Sequence, residues 1–244
     1  MKRITHPKTI SFLIPTRKRI KYLCKALNSM IVNVKNIKQV EVLIRIDNDD
    51  EESKEFWKVT NDNQFTAKYK NELDIKIIVG GRGDGFPDLC IYWNELSRIA
   101  IGKWVNFWTD DVLMRTKDYD VILDAINDDK VLLPHCNKER PWSYPFVPTQ
   151  FIACVNFTTG IQDAYWNIVA IELGIIQNVS INVIHNDHPP GETTDEYWDS
   201  LEMVMGKDDP RWWDWGNSTP PPTAVRQIKA RDEMIFKIKK FLKN

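Results

Sequence analysis

The stretch WVNFWTDDVLM, Trp104 to Met114, decides how the chain is read. Trp104–Trp108 has the composition of a buried strand. Thr109 follows, then two adjacent carboxylates, Asp110 and Asp111, and then apolar residues again. Like charges a few ångströms apart repel, so a pair placed where a strand leaves the core needs a physical reason. One is that the pair caps a following helix. The other is that it binds a divalent cation: hard oxygen ligands suit Mg²⁺ or Mn²⁺, which take one or two carboxylates and phosphate oxygens.

Upstream, TISFLIP (Thr9–Pro15) reads as a buried strand stopped by proline. Ile20, Leu23, Cys24, Leu27 and Ile31 then fall on one helical face. VEVLIRI (Val40–Ile46) is a second strand running into DNDDEES, and the strand–helix–strand length suits a right-handed parallel βαβ unit. IKIIV (Ile75–Val79) is a third strand, ended by GGRGDG. The spacing predicts a helix from about Pro87 to Ile101, capped by Gly102, before the fourth strand. The first half is therefore β-α-β-(α)-β-α-β, an open α/β sheet. Ligands of such sheets bind outside the carboxyl ends of the strands. With parallel strands, Pro15-Thr16-Arg17, Asp47–Asp50 and Thr109–Asp111 meet at one edge, and that convergence favours the cation reading over the cap.

The second half is less regular. Glu139–Phe151, with three prolines, reads as a loop over the sheet, and FIACVNFTTG (Phe151–Gly160) as a strand. Asp163–Gly174 reads as a helix with Asp163 near its start, and Val179–Ile184 as another strand. His185 and His188 follow it, three apart and ahead of Pro-Pro-Gly, and join the candidate ligands for metal or phosphate. Asp195 opens a short helix to Met205, and Ser218–Thr223 is a stiff linker. Ala224–Asn244 is a basic amphipathic helix, either docked with its lysine face in solvent or making weak contact with a membrane surface or partner.

Bulk properties narrow the function. A hydrophobic content of 43% with 27% charged residues is that of a globular protein, and a net charge of −1 argues against nucleic-acid binding. Ten tryptophans either pack the core or offer stacking faces. Cys24, Cys90, Cys136 and Cys154 form no CxxC pair and read as reduced, mostly buried thiols. With no signal peptide and no apolar run of spanning length, the expected location is cytoplasmic and soluble. A P-loop is missing, and no GxGxxG follows the first strand, which argues against ATPases and dinucleotide dehydrogenases.

SFLIPTRKRIKYLCKALNSM, VLIRIDNDDEES, IYWNELSRIAIGKWVNFWTDD and DAYW resemble, in order, the landmarks of GT-A-type glycosyltransferases of the family 2 kind, closest to small phage and bacterial members. The likeness runs from about Ser11 to Tyr197. It implies a GT-A (Rossmann-like) open mixed sheet with helices on both faces in a single domain, 1–217. The nucleotide-binding half would span about 9–115 and the acceptor and catalytic half about 116–217, with 218–244 as linker and basic helix. Residue by residue, Pro15, Thr16 and Arg17 would line the nucleotide pocket. Asp47 would accept a hydrogen bond from the base, and Asp110 would face the ribose or donor sugar. Asp111 would bind the metal, with His185 and His188 on the metal side, and Asp163 would be the catalytic carboxylate. Arg82 and Asn94 complete the implied substrate-binding set. The family's D-x-D is Thr109-Asp110-Asp111 here, without its first carboxylate, and the histidine segment is one residue longer than H-x-H-P.

The activity implied is metal-dependent transfer, with Mn²⁺ or Mg²⁺, of a hexosyl group from a nucleotide-diphosphate sugar of UDP or GDP type to a glycan, protein or lipid-linked acceptor hydroxyl. A single base opposite the leaving group implies inversion. The alternatives are a nucleotidyltransferase, which normally needs a glycine-rich loop after strand one, and a non-catalytic nucleotide- or carbohydrate-binding module.

Overall fold

Apolar runs in the first 107 positions, rich in β-branched residues and leucine in the first three and in aromatics in the fourth, form four strands: β1 (Lys8–Thr16), β2 (Val40–Asp47), β3 (Asp74–Gly80) and β4 (Gly102–Phe107). The structure is a computed structural model describing residues 6–60, 73–83, 89–137, 144–154, 162–186 and 222–243. The strands are joined by α1 (Ile20–Asn33), α2 (Glu51–Thr60) and α3 (Leu89–Ser97). All four are parallel in the order β3-β2-β1-β4, with Ile10 opposite both Val40 and Trp104.

Beyond them come β5 (Val112–Met114), α4 (Tyr119–Ala125), β6 (Val131–Cys136), β7 (Phe146–Pro148), α5 (Thr149–Ile152), α6 (Gln162–Leu173), β8 (Ile176–His185) and α7 (Pro222–Leu242). The eight-stranded order is β3-β2-β1-β4-β7-β6-β8-β5. β7 is antiparallel to both β4 and β6, β8 is parallel to β6, and β5 is antiparallel to β8. Two reversals restore direction, so six strands end at the same edge and only β5 and β7 run the other way.

Side chains alternate across the sheet. Ile10, Phe12, Ile14, Trp104 and Trp108 pack with α1 and α4 on one face. Leu13, Val105 and Phe107 pack with Trp93 of α3, Trp166 of α6 and Ile238 of α7 on the other. Five tryptophans, Trp57, Trp93, Trp104, Trp108 and Trp166, are buried, so among the described residues tryptophan serves packing. α7 seats Met234, Ile235 and Ile238 in the core, and Arg231 pairs with Glu172 of α6 at 3.5 Å. Among the described residues no helix is long and apolar enough to cross a membrane.

Several expectations are corrected. The predicted loop 139–151 contains β7, which lies inside the sheet, and the helical turn α5. Prolines lack the ladder N–H and argue against a strand, but here only three residues pair and Pro148 ends the run opposite Trp104. The Phe151–Gly160 strand is not formed: Phe151 and Ile152 close α5, and 155–161 lie outside the described residues. Gly102 is no helix cap. It opens β4, where a Cβ would meet backbone atoms of Ile10 and Ser11 at 2.6 Å, so only glycine allows β1 to approach this closely. β5 and β6 went unanticipated because one has three residues and the other carries Pro134 at a register shift. The four cysteines are free and half-buried rather than buried. The Asp195 helix and most of the proline linker lie outside the described residues.

Candidate active site

The edge where the parallel strands end gathers a cluster of buried and half-buried polar side chains. Thr16, at the end of β1, donates its hydroxyl to Asp110 Oδ2 at 2.7 Å. Arg19, at the start of α1, places Nη2 3.3 Å from Asp110 Oδ1 and 3.3 Å from Asp111 Oδ2. The Thr109 hydroxyl donates to Asp111 Oδ1, and His185 Nε2 lies 3.2 Å from Asp111 Oδ2. Both carboxylates are buried, and neither caps a helix: β5 follows, not a helix.

The two differ in charge behaviour. Burial pushes Asp110 up to about 6, reinforced by Asp111 and opposed by Arg19 and the Thr16 hydroxyl. Burial acts on Asp111 too, but the contact with His185, with help from Thr109 and Arg19, outweighs it and holds this carboxyl well below the usual range. Asp111 is therefore the permanent anion.

The sign of the Asp110 effect yields a prediction. Its folded value exceeds the ordinary 3.8, so its contribution to stability is fully present below about pH 4 and lost as pH rises through about 6. The rise corresponds to about 3 kcal/mol at neutral pH. Asp110→Asn is expected to raise the melting temperature by about 6–12 °C at pH 8 and to give no gain at pH 4, as read by thermal unfolding. Equal shifts at both pH values would contradict the assignment.

His185 is placed by the sheet. β8 pairs with β5 so that His185 faces Val112, one residue past Asp111. Asn137, just beyond β6, clamps the His185 backbone by accepting its N–H at 2.8 Å. Tyr144 stands beside it, with ring centroids 5.8 Å from His185 and 5.9 Å from Trp108. Tyr144 has φ 64°, a left-handed conformation costly for an aromatic residue. Asn106, the polar residue inside the WVNFW strand, holds it there by donating to the Tyr144 carbonyl at 2.8 Å.

On the other flank, Asp47 ends β2. Arg17 reaches its Oδ2 at 3.3 Å and also pairs with Asp49, which lies 3.7 Å from Arg82. Asp50 accepts the Ser53 N–H at 3.1 Å and so anchors the start of α2, while also accepting the Lys18 N–H at 2.7 Å. Arg45, buried in β2, reaches Asp47 Oδ1 at 3.0 Å.

Of the residues expected from sequence, the strand ends bring together Pro15, Thr16, Arg17, Asp47, Asp110, Asp111 and His185, with Arg82 on the Asp47 flank. Asn94 is half-buried in α3, next to Glu95, which pairs with Arg45. Asp163 is the second residue of α6, inside its first turn rather than at the cap position. Gly174 and Ile175 alone join α6 to β8, and α6 packs on β6 and β8. Its first turn therefore lies toward the edge where β8 ends. His188 lies outside the described residues. Arg19, Asn137, Tyr144 and Arg45 were not singled out, and Thr109 was named only as the end of the fourth strand, without its bond to Asp111. Only Arg45 carried a signal, as a cation inside a strand buried on both sides, which must be paired.

A divalent cation fits the residues present. Asp111 Oδ2 and His185 Nε2, 3.2 Å apart, have the separation of neighbouring ligands around an ion bound at ~2.1 Å. Among the described residues no group of three metal-ligating side chains occurs, so substrate phosphates would complete the shell, as is usual for Mg²⁺.

No protein-family model matches the chain, and no curated protein matches it in sequence. Solved structures do match. The Pyrobaculum calidifontis mannosyltransferase PcManGT, in complex with GDP-Man and Mn²⁺, aligns with TM-score 0.61 and 11% identity over 94% of this chain and 70% of its own. S. aureus TarS 1–349 with UDP aligns with TM-score 0.58 and 15% identity over 94% and 81%. The fold is GT-A. The same TarS fragment with UDP-GlcNAc aligns with TM-score 0.56 and 16% identity over 81% of this chain, which there spans 65% of TarS 1–349. At these identities the GT-A likeness is one of architecture.

Proposed function

We propose that this chain is a metal-dependent glycosyltransferase that moves a sugar from a nucleotide-diphosphate donor to an acceptor hydroxyl with inversion. The observation that carries the reading is the convergence of Asp47, the Asp110–Asp111 pair and His185 at one edge of a GT-A sheet. Asp47 and Arg17 hold the base, and Thr16 and Asp110 face the ribose or donor sugar. Asp111 and His185 hold Mn²⁺ or Mg²⁺, with His188 as a further candidate. When bound, the cation stabilises the negative charge that grows on the leaving diphosphate.

Asp163 takes the proton of the acceptor hydroxyl. The acceptor oxygen bonds to the anomeric carbon as the bond from that carbon to the diphosphate oxygen breaks, and the nucleoside diphosphate leaves. The acceptor is a glycan, protein or lipid-linked sugar. Pro15, Arg82 and Asn94 belong to the donor pocket.

A thermal-shift screen of nucleotide sugars with and without Mn²⁺ tests this. A donor at a hundred times its Kd adds about 2.7 kcal/mol, or roughly 5–10 °C for a chain of this size. Release of nucleoside diphosphate on turnover is the expected product. Pyrophosphate would mark a nucleotidyltransferase, and binding without turnover a non-catalytic module.

A further inference from the structure

Arg19 is the cation that sits on the Asp110–Asp111 pair, and the turn before it fixes its place. β1 ends at Thr16, and Lys18 turns the chain through a left-handed conformation, φ 52°. Asp50 holds that turn by accepting the Lys18 N–H at 2.7 Å. Arg19 follows at the N-cap position of α1, with its guanidinium carbon 5.2 Å from the centroid of the Tyr22 ring one turn on. From there Nη2 lies 3.3 Å from Asp110 Oδ1 and 3.3 Å from Asp111 Oδ2.

The consequence is electrostatic. Asp111 Oδ2 is also the oxygen that faces His185 Nε2, so a cation held by that pair would share Oδ2 with Arg19. A cation bound about 2.1 Å from Oδ2 stands no more than about 5.4 Å from Arg19 Nη2, the two distances laid end to end. The start of α1 adds to the positive field, for it has no side-chain cap and no acidic residue in its first turn. The carboxylates attract a divalent cation, but Arg19 repels it when it arrives alone. A nucleoside diphosphate carries the opposite charge, and the planar fork of the same guanidinium suits phosphate oxygens.

We propose that Arg19 acts on the two ligands with opposite signs: it holds the affinity for a lone cation down and pairs with the donor diphosphate, so that the cation is held tightly only with the diphosphate that coordinates it. This rests on the reading of Asp111 and His185 as the metal pair of a nucleotide-sugar site. The test is calorimetric titration of the wild type, Arg19→Gln and Arg19→Lys, first with Mn²⁺ alone and then with UDP and with GDP at a fixed excess of Mn²⁺. Removing Arg19 leaves two buried carboxylates side by side, which endangers the fold. The same comparison is therefore made between Asp110→Asn and Asp110→Asn/Arg19→Gln, where the second carboxylate is gone as well.

Arg19→Gln is expected to bind Mn²⁺ alone about tenfold more tightly than the wild type, the size of the repulsion between one and two charges at about 5 Å even in water. It should bind the nucleotide about tenfold more weakly, the loss of one charged hydrogen bond. Arg19→Lys keeps the charge and should stay near the wild type for Mn²⁺, and the two Asp110→Asn variants should differ in the same two directions. Weakening of both ligands would show a merely structural role. Mn²⁺ affinity unchanged by loss of the charge, or nucleotide affinity unchanged, would also overturn the proposal. Binding of neither UDP nor GDP by the wild type would overturn the nucleotide-sugar reading with it, whereas nucleotide binding with both effects of one sign would overturn the role of Arg19 alone.

Discussion

Asp111→Asn is expected to lower sugar transfer about a thousandfold while leaving the fold intact. Asp111 is the carboxylate held ionised, and it is the one paired with an imidazole at a separation suited to a shared cation. Losing a cation that stabilises the leaving diphosphate costs several kcal/mol of transition-state stabilisation, and about 4 kcal/mol is a thousandfold in rate. The fold should survive because asparagine still accepts from the Thr109 hydroxyl, and the Asp111 carbonyl still accepts the Asn186 N–H at 3.0 Å. Arg19 retains Asp110 as a partner. Transfer rate, calorimetric Mn²⁺ binding and circular dichroism check the three parts. Full activity in the variant, or wild-type activity in EDTA equal to that in Mn²⁺, would sink the metal assignment.

Arg19 adds a condition to that result. Its guanidinium stays charged at any working pH and touches both carboxylates, so the pair is partly neutralised without a metal. Chelation should therefore abolish turnover without unfolding the chain. Zinc fingers behave oppositely, because metal binding supplies their folding free energy.

The parallel half of the fold was legible because its signals are local. β1, β2 and β3 are rich in Ile, Val and Leu and β4 in aromatic residues, β1 running through Pro15 to Thr16 instead of stopping at the proline, and the topology rule for open sheets then predicts where Thr16, Asp47 and Asp110 meet. The return half was not, since β5 and β7 have three residues each, too few for a period to register. β7 is specified by what it inserts between, with Val147 opposite Val105, and not by its own composition. For the same reason His185 could be named as a candidate but not joined to Asp111, because their meeting depends on the β5–β8 pairing. Arg45 shows the opposite case, a local anomaly inside VLIRI whose partners, Glu95 and the Gly81 carbonyl, come from elements far away in sequence.

The remaining large effect is expected at Asp163. Its position in the first turn of α6 gives a structural role for its charge, since a carboxylate there complements the helix dipole by about 0.3–1 kcal/mol. That role and a catalytic one predict different outcomes for Asp163→Asn. Loss of the dipole interaction alone would lower the melting temperature by a few degrees at most and leave turnover of the folded protein unchanged. Loss of a general base should cut kcat by roughly 10²–10⁴ with donor affinity nearly constant, because the base acts on the acceptor hydroxyl and not on the nucleotide. Single-turnover transfer, measured alongside donor titration, separates the two. α6 runs back from β8, so its first turn points toward the edge where β8 ends. Near-normal turnover in Asp163→Asn would move the base to another carboxylate, with Asp195 and then Asp187 the next to substitute.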